Sequence, residues 1–145
     1  MNIVIAGISG FLGSRVKYYF EKKNYKVFNY KKNLPNKIDA IINLAGPNNE
    51  ICDKYPIKSI KDRLSINKKI VEIIRKKKIK KFFYISTIHV YKKQKILNES
   101  SKLNYKNAYA KSHLISEEYL SDKLYNTCEY KILRLANCFG YCKKL

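Results

Sequence analysis

The chain has 145 residues, 46% of them hydrophobic, which suffices for one ordinary core and is too apolar for a disordered polymer. No apolar run approaches the roughly 20 residues needed to cross a bilayer, and no secretory leader is visible, so a soluble, cytoplasmic protein without a membrane partner is expected. The 31 basic residues exceed the 11 acidic ones by 20 charges, but they are nearly all lysine and dispersed among many Asn, Ile and Tyr. They read as a solvated surface, which argues against a nucleic-acid partner.

Residues 2–6 (NIVIA) form an apolar run that ends on Gly7, and residues 11–20 carry apolar side chains at helical spacing. The pattern is strand, tight turn, helix. Residues 25–30 read as a second strand and 38–44 as a third, nearly continuous in apolar residues, as strands buried on both faces are. Only residues 31–37 separate them, too few for a crossover with its own helix. The sheet is therefore expected to be trimmed by a strand and its helices at that point.

A helix is expected over about residues 59–78, with Leu64, Ile70, Val71 and Ile74 on one face. Asn67 interrupts that stripe, and an amide there needs a polar partner. A fourth strand follows at residues 81–86, a polar loop around 94–104, a helix over about 108–123 and a last strand at 130–135. This alternation predicts a parallel sheet covered by helices on both faces. Cys52, Cys128, Cys138 and Cys142 lack paired spacing and nearby histidines, so they read as reduced thiols and no metal site is expected.

The first turn carries the clearest chemistry. In Gly7-Ile8-Ser9-Gly10-Phe11-Leu12-Gly13 the first glycine turns tightly, the second lets a pyrophosphate approach bare backbone, and the third lets helix pack on strand. The helix start then offers free N–H groups and a positive dipole end to phosphate. The expected cofactor is NAD or NADP. At the end of the second strand Asn29-Tyr30-Lys31-Lys32 has no carboxylate for a ribose 2′-hydroxyl, and Lys31 leans the choice toward NADP.

Together with later segments, this turn resembles the extended short-chain dehydrogenase/reductase superfamily, in its NAD-dependent epimerase/dehydratase group. Asn43-Leu44-Ala45-Gly46 is similar to the segment that passes under the cofactor, and Asn67 to an Asn on the following helix. Residues 80–91 resemble the strand that delivers a catalytic Ser/Thr, here Thr87, four residues before a Tyr. Residues 107–114 resemble the catalytic helix segment, with Glu117 following, and residues 134–140 a strand-end motif whose Asn, here Asn137, touches substrate.

The resemblance implies a Rossmann-like α/β domain over residues 1–145, lacking the C-terminal substrate domain, with a nucleotide-sugar as substrate and a homodimer as an assembly to be tested. It implies Tyr109 as acid/base, Thr87 on the reacting hydroxyl, and cofactor contacts from Leu44, Ala45, Gly46, Asn67, Tyr109 and residue 113. Residue 113 is His, where the family carries the Lys that lowers the Tyr pKa and holds the ribose. Lys111 lies on another side of the helix. His113 is then either a working replacement, as ribose donor or protonated partner of a tyrosinate, or a helix-surface residue of a non-catalytic dinucleotide-binding or sensor module.

Overall fold

The apolar run after Met1 forms β1 (Asn2–Ala6), in which every residue from Ile3 onward is buried. Four more strands line up with it in the computed structural model, which describes residues 1–140: β2 (Lys26–Asn29), β3 (Ala40–Asn43), β4 (Lys81–Thr87) and β5 (Glu129–Leu135). All the pairings are parallel, in the order β2-β1-β3-β4-β5. Ile3 pairs with Val27 on one side and Ala40 on the other, so the chain reverses its direction of advance at β1. A doubly wound sheet opens its ligand crevice at such a reversal, outside the carboxyl ends of the strands.

Four helices are described: α1 (Phe11–Lys22), α2 (Asn49–Lys54), α3 (Pro56–Lys77) and α4 (Ala108–Leu124). On one face of the sheet Val4, Ile41, Phe82 and Tyr84 form a cluster with Ile70 and Ile74 of α3 and Leu120 and Leu124 of α4. On the other face α1 packs over β1 and β2. Its Leu12, Val16 and Phe20 border an apolar groove of about 470 Å³ whose far wall is Phe83, Ile85, Leu133 and Leu135. Helices therefore lie on both faces, as the alternation predicts, but among the described residues none covers the β4–β5 half of the second face. Leu133 is 41% exposed there.

The connection between β2 and β3 is helix-free, as expected. It runs over residues 30–39, longer than predicted, because both strands are shorter than their apolar runs. Tyr30, Leu34 and Ile38 fold back onto the α3 side of the core and take the place of a covering helix. Asn2 ties the end of the link to β1 by donating its N–H to an Asp39 carboxylate oxygen at 2.6 Å.

Helix α3 starts at Pro56, three residues before the predicted start, because a proline with its fixed φ fits a first helical turn. It ends where Lys78 turns left-handed at φ 52°, with Arg75, Lys76 and Lys77 facing the negative end of the dipole. Helix α2 escapes periodicity because it is only six residues long; the Asn48 side chain caps it by accepting from the Ile51 N–H. Cys52, Cys128 and Cys138 are free thiols, and Cys142 lies outside the described residues. Among the described residues no helix is long and apolar enough to cross a membrane, and no His, Cys, Asp and Glu cluster could hold a metal ion.

Candidate functional site

Two groups of residues meet at the carboxyl ends of the strands. The first surrounds the glycine turn. Gly7 adopts φ 82°, a left-handed conformation that side chains other than glycine's rarely take, and this turns the chain out of β1. Gly13 is buried in α1, and a Cβ there would run into the Gly7 carbonyl oxygen, so only glycine lets the helix lie this close to the turn. The α1 N-terminus has Gly10 as its cap, no side-chain capping bond and no acidic residue in its first turn.

The cleft in front of it has a volume of about 450 Å³, and its lining includes Gly7, Ser9, Gly10, Lys31, Ala45 and Gly46. Uncapped helix N–H groups behind an open glycine turn are what a pyrophosphate requires. The residues present therefore fit a dinucleotide. Lys31 and Leu44 line the same cleft, whereas the Leu12 side chain turns away into the apolar groove, leaving its backbone at the helix start.

Asn67 lies fully buried beneath the cleft rather than on its wall. Its Oδ1 accepts from Asn43 Nδ2 at 2.7 Å, and Asn43 Oδ1 accepts from the Ala45 N–H at 2.9 Å. The amide that breaks the apolar stripe thus props the turn carrying Leu44, Ala45 and Gly46. Its Nδ2 has no hydrogen-bond partner.

The second group occupies the neighbouring strand ends and α4. Asn107 caps α4 by accepting from the Ala110 N–H at 2.8 Å, which sets Tyr109 in the first turn and His113 one turn on. Their rings meet edge to face at 4.7 Å. Thr87 ends β4, and its hydroxyl favours ionised Tyr109, as does the Arg63 guanidinium; burial outweighs both and, with a smaller push from Cys52, holds the Tyr109 phenol above its ordinary pKa. His89 faces the same tyrosine at 6.2 Å, and its Nε2 lies 3.2 Å from Asn137 Oδ1. The structure thus gathers Thr87, Tyr109, His113 and Asn137 at one corner.

His113 is not a helix-surface residue: it is 3% exposed, with Nδ1 at 2.9 Å from the Tyr84 hydroxyl and Nε2 buried without a partner. Burial, then Arg63 and His89, drives its pKa down to about 2, so the protonated role is closed to it. Burial likewise pushes the Tyr84 phenol up to about 12 against the opposing pull of Arg63. Both rings are neutral at pH 7.

Motif matching missed the residue that connects these parts. Arg63 of α3 is 3% exposed, donates from Nε to Ser112 Oγ at 3.1 Å and from Nη2 to the Pro47 carbonyl at 2.6 Å, and stands 5.6 Å from the Tyr109 ring centre. It shares its buried face with Asn67, Ile70 and Ile74 at helical spacing. Composition offered a signal: the chain writes 27 of its 31 cations as Lys, and its few arginines are held by specific contacts, Arg63 here and Arg134 on Glu117. Glu117 accepts from Arg134 and from Ser86, and Arg134 also donates to the Tyr91 hydroxyl at 2.6 Å, which joins α4 to the ends of β4 and β5. The bonds from Glu117 hold Arg134 further above its ordinary pKa.

A parallel doubly wound sheet with an open glycine turn, a buried Tyr beside a strand-end Thr, and an ion-paired α4 make a Rossmann-like α/β domain. A family model, the NAD dependent epimerase/dehydratase family, matches residues 31–144, and the chain belongs to that family. A comparison with curated sequences finds no match. Among solved structures, RMD from Pseudomonas aeruginosa complexed with NADPH superposes with a TM-score of 0.82 at 20% identity over 94% of this chain and 54% of that one. UDP-glucose 4-epimerase from Thermotoga maritima with UDP-glucose gives 0.82 at 20% identity over 97% and 57%. dTDP-4-dehydrorhamnose reductase from Yersinia enterocolitica gives 0.80 at 21% over 97% and 54%. The chain spans just over half the length of these proteins.

Proposed function

We propose that this chain binds NAD(P) and forms the cofactor half of an epimerase, dehydratase or reductase acting on a nucleotide-sugar. The observation that carries the reading is the convergence, on one edge of the sheet, of an uncapped helix N-terminus behind a glycine turn with the Thr87–Tyr109 pair. NADPH in one structural neighbour and UDP-glucose in another support the two ligand classes.

In this reading the backbone from Gly7 through Ser9, Gly10, Phe11 and Leu12 to Gly13 receives the pyrophosphate. Lys31 meets a 2′-phosphate, and Leu44, Ala45 and Gly46, propped by Asn67, form the opposite wall. Tyr109 and His113 face the nicotinamide ribose. When bound, the dinucleotide supplies the hydride acceptor or donor. Tyr109 gives or takes the proton at its hydroxyl, Thr87 holds the reacting substrate hydroxyl, and Asn137 contacts substrate. Neutral His113 offers hydrogen bonds only.

That neutrality favours a second reading, a dinucleotide-binding module without turnover. Titration of NADPH and NADH against tyrosine fluorescence tests the shared part, since the chain has no Trp. Saturable binding is expected, tighter for NADPH, with the difference abolished by Lys31→Ala. No saturable response to either dinucleotide would overturn both readings. Conversion of the nucleotide-sugar itself, followed by NMR in the presence of the dinucleotide, separates the first reading from the second, because epimerisation and dehydration return the hydride and leave no net change in the nicotinamide.

A further inference from the structure

Arg63 is a buried cation with no carboxylate. Among the described residues the ion pairs are Lys17–Glu21, Lys123–Asp122 and Arg134–Glu117, and Arg63 belongs to none. A buried guanidinium without a counter-charge is costly unless neutral groups bond it and something gains from its field. Two anchors fix it here: Ser112 Oγ on α4, and the Pro47 carbonyl in the segment leaving β3. The fold also keeps room for it, because a Cβ on Gly46 would collide with the guanidinium.

Several polar or titratable groups face Tyr109. Cys52 from α2, Thr87 from β4, His89 from the turn after β4, His113 from α4 and Arg63 from α3 act on it. His113 is neutral, Cys52 opposes ionisation, and Thr87 is uncharged. Arg63 is the permanent cation in the set, since a guanidinium does not deprotonate in proteins. Its guanidinium lies 5.6 Å from the Tyr109 ring centre, and its charge draws the phenol toward its ionised form.

We propose that Arg63 sets the proton affinity of Tyr109, doing from α3 the electrostatic work that the resemblance assigns to a lysine at position 113, while His113 serves as a neutral member of the wall. The inference rests on reading Tyr109 as the proton-transfer group. Arg63 is a positioning residue in this account, acting through Tyr109. The lysine is thus not merely lost: its charge enters from a different helix and is held by α4 one residue before the substituted position.

The test reads Tyr109 directly and needs neither cofactor nor substrate. The chain is labelled with 3-fluorotyrosine, whose more acidic phenol titrates within a manageable pH range, and the Tyr109 signal is identified in ¹⁹F NMR by its loss in Tyr109→Phe. In Arg63→Met the Tyr109 midpoint is expected to rise by about one pH unit or more. In Arg63→Lys, which keeps the charge, it is expected to stay within about half a unit of wild type. Adding His113→Lys to Arg63→Met is expected to bring the midpoint back down. An unmoved midpoint in folded Arg63→Met overturns the proposal. Should that variant not fold, the smaller neutral change Arg63→Gln decides: a rise of about a unit or more supports the proposal, and an unmoved midpoint overturns it. Dinucleotide titration is a separate measurement, so coupling without cofactor binding would sink the functional reading and leave the Arg63–Tyr109 coupling standing.

Discussion

Lowering the pH from 7 to 5 should remove about 2 kcal/mol of stability through His113 alone. The imidazole titrates near 6.5 in an unfolded chain and near 2 in the folded one, where burial resists the charge. Above pH 6.5 both states hold the ring neutral, and this group makes stability independent of pH. Below it the unfolded chain takes up a proton that the folded chain refuses, so stability falls as pH falls, by about 1.4 kcal/mol per unit, until the folded pKa is reached. At pH 5 the unfolded ring is almost fully protonated, about 1.5 units below its midpoint, while the folded ring is still neutral, and the loss is about 2 kcal/mol. The assay is urea unfolding at pH 7, 6 and 5 for wild type and His113→Gln, an uncharged side chain that still offers Tyr84 a partner. Carboxylates common to both proteins cancel in the comparison. The wild type should lose about 2 kcal/mol more than the variant over that interval. Equal losses would show that His113 is free to charge in the folded state, which would refute the neutral-wall description of this corner.

Gly13→Ala gains about 1 kcal/mol of helix propensity but drives a methyl into the Gly7 backbone, so a net destabilisation of about 1–2 kcal/mol is expected in chemical denaturation, together with weaker NADPH binding. Glu117→Leu leaves Arg134 without its carboxylate and Ser86 without its acceptor, and should cost about 3 kcal/mol by the same measurement. Lys31→Glu should weaken NADPH about tenfold or more while leaving NADH nearly unchanged, a difference read by paired titrations.

The strands and long helices are legible in the sequence because each has a period, and even the missing crossover shows in the seven residues between two apolar runs. The glycine turn is legible for a different reason: Gly7 and Gly13 answer local steric demands, and both demands are present in the structure. Asn67 can be picked out as an amide that needs a partner, but not the partner itself, Asn43, which lies on another element 24 positions away. His113 illustrates the limit more sharply. Its spacing from Tyr109 follows from the helix, whereas its burial depends on Tyr84 and Arg63 arriving from β4 and α3. Arg63 belongs to no motif, and its meaning comes from the neighbours that tertiary packing supplies.

The helix-free link between β2 and β3 bears on the order of assembly. Parallel strands usually meet only after a long crossover has been made, and closing long loops slows folding. Here Asn2 and Asp39 meet across 37 positions, and β2, β1 and β3 are complete by residue 43. The glycine-turn cleft can thus form from a short, local stretch of nascent chain, before α3 brings Arg63 or α4 brings Tyr109. Loop-closure entropy varies slowly with length, so the advantage is one of timing more than of final stability. A ribosome-stalled chain just long enough for Gly46 to have left the exit tunnel should already protect the amides of β1 from exchange.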